Sequence, residues 1–167
     1  ANDLWVGGNV YVTVENSTIG TVFVNTTGAP TTSVHGNLTV KGAETKISYL
    51  SGDTDVADKN GNLGSFITIK DGNFETIFDK GIYAISGGVF KNEVKPEWCT
   101  DGFIPTTNED GTYGVKSGKY VAELNGVKYE TLQAAIDAAG RRQTVTLVSD
   151  TRENVTIAKQ LTLDLNG

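Results

Sequence analysis

Ile67-Thr68-Ile69-Lys70-Asp71-Gly72-Asn73-Phe74 and Tyr83-Ala84-Ile85-Ser86-Gly87-Gly88-Val89-Phe90 align without a gap at an offset of 16 residues. Apolar residues, a glycine and a closing Phe fall in corresponding places in both segments. Within each, apolar and small or polar residues alternate, the period of a half-buried strand. Repetition at a short fixed offset is expected of a chain that stacks one coil on the next.

Similar short runs occur elsewhere in the chain: Val10-Tyr11-Val12-Thr13-Val14, Val22-Phe23-Val24, Leu38-Thr39-Val40, Val145-Thr146-Leu147, Val155-Thr156-Ile157 and Leu161-Thr162-Leu163. Gly, Asn, Asp and Ser separate them, and these residues make turns. Many very short strands fit either a sandwich or a solenoid. Asn37-Leu38-Thr39-Val40 echoes Asn154-Val155-Thr156-Ile157, although that pattern is common in any β protein. The repeat favours the solenoid. Residues 9–92 are therefore expected to form stacked coils of parallel strands. Val12, Val14, Leu38, Val40, Ile67, Ile69 and Ile85 should point inward.

One stretch differs. Tyr129 to Ala139 places Leu132, Ala135, Ile136 and Ala139 at helical spacing, with Thr131 able to cap the start and Gly140 the end. So short a helix needs a surface to lie on. The open end of a solenoid, built here from Val145, Leu147, Val155 and Ile157, is such a surface. Asn108 to Val115 reads as a turn and returning strand around Asp110-Gly111. Lys116-Ser117-Gly118-Lys119 reads as the linker. The expected organisation is coils and a terminal hairpin over 1–116, a linker and connecting strand over 117–128, and a capping helix with the first coils of a following unit over 129–167.

Tyr120 to Ala139, followed by Thr144 to Asp150 and Asn154 to Gly167, resembles the start of pectate-lyase-like β-helix domains in large surface proteins of gut Clostridia and their relatives. Ile85 to Phe90, Asp101 to Ile104 and Gly111 to Val115 resemble the usual end of such a domain. The resemblance spans about residues 67–167. It implies an all-β fold: a right-handed parallel β-helix with one short capping α-helix, on a bacterial cell surface or secreted. It also implies that a domain end precedes a domain beginning. Ala1-Asn2-Asp3-Leu4-Trp5 then reads as the start of a processed fragment, and Leu163 to Gly167 as a coil that runs on.

Composition narrows the function classes. The net charge is −6 and there are only three arginines, Arg141, Arg142 and Arg152. Nucleic acid would demand clustered Lys and Arg, so it is not an expected partner. No apolar run is long enough for a membrane-spanning helix. Cys99 is the only cysteine, so no intrachain disulfide can form. The sequons at Asn16, Asn25, Asn37 and Asn154 read as chance in an Asn- and Thr-rich chain rather than as glycosylation sites.

Enzymes on the β-helix fold bring carboxylates and a basic group together on one face. The sequence offers no such set, and no catalytic residue is assigned. His35 is the single histidine, with no evident triad around it. Asp71 and Asp79 read as turn residues, and Cys99 as a small core residue near the Pro96 bend. Asp53, Asp55, Asp58 and Asn60 offer oxygen ligands suited to Ca²⁺, but their spacing is not that of an EF-hand. A solvated loop is the simpler reading there, and no cofactor is expected. Trp5, Tyr11, Tyr49 and Tyr83 would make a sugar-stacking platform if they lie outside the core.

Two function classes remain. One is a non-catalytic structural or adhesive repeat whose open coil ends meet other copies or adjacent repeats of itself, either by folding back within one chain or by stacking tail to head between chains. The other is a β-helix that binds host or plant glycans, or is polysaccharide-lyase-like with its active coils outside this chain.

Overall fold

The computed structural model describes residues 2–27, 34–53 and 65–166. The chain forms two compact units, Ala1–Lys116 and Ser117–Gly167. The protein is mostly β, with one short α-helix.

The first unit contains β1 (Asp3–Gly7), β2 (Tyr11–Glu15), β3 (Thr18–Thr27), β4 (Val34–His35), β5 (Asn37–Lys41), β6 (Lys46–Ser51), β7 (Phe66–Ile69), β8 (Asn73–Ile77), β9 (Ile82–Ile85), β10 (Val89–Phe90), β11 (Phe103–Thr107) and β12 (Tyr113–Ser117). The chain visits two sheets in turn. β1, β3, β6, β8 and β10 line up in the first, and β2, β5, β7 and β9 form the second. Every pairing among these nine strands is parallel. The antiparallel sandwich is thus excluded for this unit.

The repeated phrase lies in register. Ile67 pairs with Tyr83, Ile69 with Ile85, and Phe74 with Phe90. Where the chain between paired strands is longer, as from Val40 to Ile69, like still stacks on like. The core is a set of columns: Val14, Val40, Ile69 and Ile85 in one, and Leu38, Ile67 and Tyr83 in the next, with Val12 half-buried at its edge. A single strand offers one line of apolar side chains and nothing to cover their edges. Burial comes from the strands paired on either side.

The first sheet departs from simple alternation. In β6 both Ile47 and Leu50 are fully buried, three residues apart rather than two. The strand therefore bends at Ser48, and Ile19 with Val22 in β3 and Phe74 with Ile77 in β8 repeat the bend in register. The rings of Phe74 and Phe90 stack at 4.9 Å.

Tight corners need glycine. Gly72 and Gly88 occupy equivalent places at φ 120° and 107°. At Gly87 a Cβ would lie 2.2 Å from the Lys70 carbonyl oxygen of the coil below.

The parallel ladder ends at β10, where β12 adds antiparallel through Phe90 and Tyr113, and β11 lies beside β12. The expected turn between them is present. Thr112 donates its backbone N–H to Asp110 Oδ1 at 3.0 Å, and Gly111 has φ 82°. A 3-10 turn over Pro96–Trp98 brings the Trp98 ring to 5.1 Å from that of Tyr83, covering this end of the core.

The second unit contains β13 (Ala122–Leu124), β14 (Val127–Tyr129), α1 (Leu132–Ala138), β15 (Thr144–Leu147) and β16 (Thr162–Asp164). Residues 117–128, read as linker and connecting strand, hold the last residue of β12, all of β13 and the first two residues of β14. β13 and β14 pair antiparallel around Asn125 and Gly126, both at positive φ, the geometry of a two-residue hairpin turn.

As expected, Thr131 caps α1, its Oγ1 accepting from the Ala134 N–H at 3.2 Å. Glu153 adds a second cap, its Oε2 accepting from the Leu132 N–H at 2.9 Å. That bond, followed by bonds from Thr151 and Gln133, holds the Glu153 carboxyl below its ordinary range. Leu132, Ala135, Ile136 and Ala139 are buried with Val121, Ala122, Leu124 and Val145. The helix therefore lies on the β13–β14 hairpin and β15.

Two details of the expected lid are corrected. Residues 154–157 form no strand, and Ile157 is 48% exposed. The Gln133 amide accounts for this: its Oε1 accepts from the Thr156 N–H at 2.7 Å, and its Nε2 donates to the Thr156 carbonyl at 3.2 Å. A side chain thus occupies the place of a ladder partner. β15 and β16 are parallel, Thr144 opposite Thr162 and Val145 opposite Leu163.

Ile136→Asp places an unpaired charge in the second core and is expected to cost about 3 kcal/mol or more. Hydrogen exchange read by mass spectrometry should accelerate across 121–147 and stay unchanged across 66–90. Unchanged exchange across 121–147 would contradict the packing described for α1.

Candidate functional site

The outer surface of the first sheet carries the most developed arrangement of chemistry among the described residues. Because the strands are in register, outward side chains form rows across the coils. Thr18, Lys46, Asn73 and Val89 make one row. Glu75 and Lys91 lie in the next, joined by a 2.9 Å ion pair across one 16-residue coil. The Asp110–Thr112 turn forms a wall beside them. Together with Ser48, Ile47, Phe74 and Phe90 these residues bound a groove of ≈ 480 Å³.

The wall is held from within. Thr112 Oγ1 donates to Asp110 Oδ1 at 2.6 Å and accepts from Asn108 Nδ2 at 2.9 Å. The Thr112 side-chain and backbone bonds lower the Asp110 pKa, in that order. Asp110 therefore remains an anion throughout the neutral range.

Beyond the bend at Ser48, the same sheet displays aromatic rings. Trp5 is 70% exposed and lies 5.0 Å from Phe23, its register partner. Tyr49, 51% exposed, lies 6.4 Å from Phe78 in a stacked pair. Of the four aromatics named as a possible platform, the structure brings Trp5 and Tyr49 to this face and adds Phe23 and Phe78. Tyr11 is exposed on the second sheet. Tyr83 is corrected: it is a core residue, 6% exposed, donating its hydroxyl proton to the Phe78 carbonyl at 2.7 Å. Burial, with the Asp79 charge adding to it, pushes its phenol well above the ordinary range.

The other singled-out residues have structural explanations. Asp71 Oδ1 accepts from the Gly72 N–H at 2.8 Å, fixing the corner. Asp79 forms an ion pair with Lys95 in the next coil, and Lys95 Nζ lies 5.3 Å from the centre of the Trp98 ring. His35 is buried edge-on against Phe66 at 5.3 Å. Cys99 packs against the core, its Sγ 3.6 Å from the Lys95 carbonyl oxygen.

Of the Ca²⁺ candidates, Asp55, Asp58 and Asn60 lie outside the described residues. Asp53 is among the described residues. Its carbonyl accepts from the Ser65 N–H at 3.0 Å, and its Oδ1 is 3.1 Å from the Ser65 hydroxyl. Among the described residues no three His, Cys, Asp or Glu side chains converge as metal ligands.

Sequence reading missed the groove. Extending the 16-residue offset outward would have put Asn73 beside Val89 and Glu75 beside Lys91. The hairpin wall, contributed from beyond the repeat, left no such signal.

Comparison with family models, curated proteins and solved structures gives no match.

Burial first, and Glu97 second, push the Cys99 thiol up to about 11. It is therefore neutral at pH 7 and gains thiolate only as pH rises toward that value. Iodoacetamide alkylation of the folded protein should be slow at pH 7.5 and rise roughly tenfold per pH unit up to about 10. Rapid stoichiometric labelling at neutral pH would contradict a structural role for Cys99.

Proposed function

We propose that this chain belongs to a right-handed parallel β-helix, a solenoid of a bacterial cell-surface or secreted protein, and that it acts as a non-catalytic structural or adhesive element. The observation that carries this reading is the in-register parallel ladder: one chain passing alternately through two sheets, each coil stacked on the last. With the bend at Ser48, each coil is three-sided. The resemblance to pectate-lyase-like domains of surface proteins points the same way.

Opposite charges stacked between neighbouring coils support a register-selecting architecture. Glu15 pairs with Lys41 at 2.9 Å, Glu75 with Lys91 at 2.9 Å, and Asp79 with Lys95. All are exposed, so each contributes at most about 1 kcal/mol. Their use lies in favouring one neighbour over another.

β1 stands at one edge of its sheet, β2 at one edge of the second, and β16 at one edge of the third. An edge strand offers backbone donors and acceptors to a further strand. Stacking the β16 edge of one copy on the β1–β2 edge of another would be heterologous and would propagate. A second reading, a glycan-binding β-helix, is favoured by the exposed rings of Trp5, Tyr49 and Phe78, with the half-buried Phe23 beside Trp5.

Light scattering over a concentration series tests the first reading. Average mass should rise with concentration. Deleting residues 161–167, or the double substitution Thr162→Lys and Asp164→Lys at exposed β16 positions, should abolish the rise. A monomer at every concentration would overturn head-to-tail stacking.

A further inference from the structure

We propose that the groove between the bent first sheet and the Asp110–Thr112 turn binds a neutral oligosaccharide, with Tyr49 and Phe78 as the stacking platform at its border; this rests on the glycan-binding reading and names its site and ligand class. The charges are the first argument. Lys46 and Lys91 face Glu75 and Asp110 around one groove, two cations against two carboxylates. Such a lining has no net pull on an anion or a cation.

The second argument is the mixture of hydrogen-bonding groups. Lys46 and Lys91 only donate, Glu75 and Asp110 only accept, and Thr18, Ser48, Asn73 and Thr112 do both. Glu75 already pairs with Lys91, and Asp110 with Thr112, so a ligand would use their remaining lone pairs and protons, donating to some and accepting from others. The hydroxyls of a sugar do so. A phosphate-bearing ligand would bring charge against Glu75 and Asp110.

The third argument is the neighbouring aromatic pair. Tyr49 follows the groove residue Ser48 on β6, so the exposed Tyr49–Phe78 pair lies on the same sheet, just past the bend. An exposed ring face suits the apolar C–H face of a pyranose, and an amphipathic ligand uses both surfaces at once. The groove volume lies within the range of small-molecule sites.

The full chain, labelled with nitrogen-15, would be titrated separately with cellotetraose, mannotetraose, N,N′,N″,N‴-tetraacetylchitotetraose and tetragalacturonate. At least one neutral sugar should shift the amides of Lys46, Asn73, Lys91 and Thr112 saturably. Lys46→Ala and Tyr49→Ala, each checked for an unchanged melting temperature, should weaken that binding by about tenfold or more. Binding by tetragalacturonate alone, or neutral binding that neither substitution weakens, would overturn the groove proposal while leaving the glycan-binding reading standing. Binding by none of the four would overturn both.

Discussion

Each pass of the chain through the two sheets of the first unit is too thin to have a core. Its inward side chains form a line, and a line acquires neighbours only when another coil lies against it. The parallel ladder therefore supplies both backbone hydrogen bonds and apolar burial. It places Ile69 on Val40 and Ile85 on Ile69, with all of these fully buried. A shift of one residue would turn every inward column outward. Glycine at position 87, set against the Lys70 carbonyl, and the stacked Phe74 and Phe90 rings hold the same register at the corner. The ladder stops at β10 because an antiparallel strand cannot continue the stacking, and Trp98 covers what would be the next layer.

The same constraint shapes the outside. A register that stacks inward residues must also stack outward ones, so surface chemistry appears in rows. Glu75 lies over Lys91 and Trp5 over Phe23. Neighbouring rows separated by the bend at Ser48 differ in character, polar on one side and aromatic on the other. The β11–β12 turn then closes a groove over the polar side. Surface sites on such a scaffold are spaced by the strand separation, about 4.8 Å.

Much of the fold was legible in the sequence, because the repeat at 67–74 and 83–90 states the register directly. The inward residues chosen from alternation are those that stack, with Val12 the least covered. Thr131 and the helix that it caps were legible for the same local reason. Alternation alone could not show the bend in β6, where burial steps by three. Nor could it decide whether Tyr83 lies outside or in the core; it is buried because its register puts it over Ile67. The 154–157 segment misled in the other direction: it has a strand's composition, but the Gln133 side chain takes its hydrogen bonds. Asn125-Gly126 was a readable hairpin signal that went unused. Of the candidate site, Trp5 and Tyr49 were legible as aromatics. Phe23, Phe78 and the groove depend on contacts that only the assembled coils bring together.

Nuclear Overhauser contacts in the labelled full chain test the stacking most directly. The account expects amide-to-Hα contacts of the parallel type between 66–69 and 82–85, in the register Ile67 to Tyr83 and Ile69 to Ile85, and ring contacts between Phe74 and Phe90. Close Hα-to-Hα contacts between those two segments, the mark of antiparallel pairing, would contradict it.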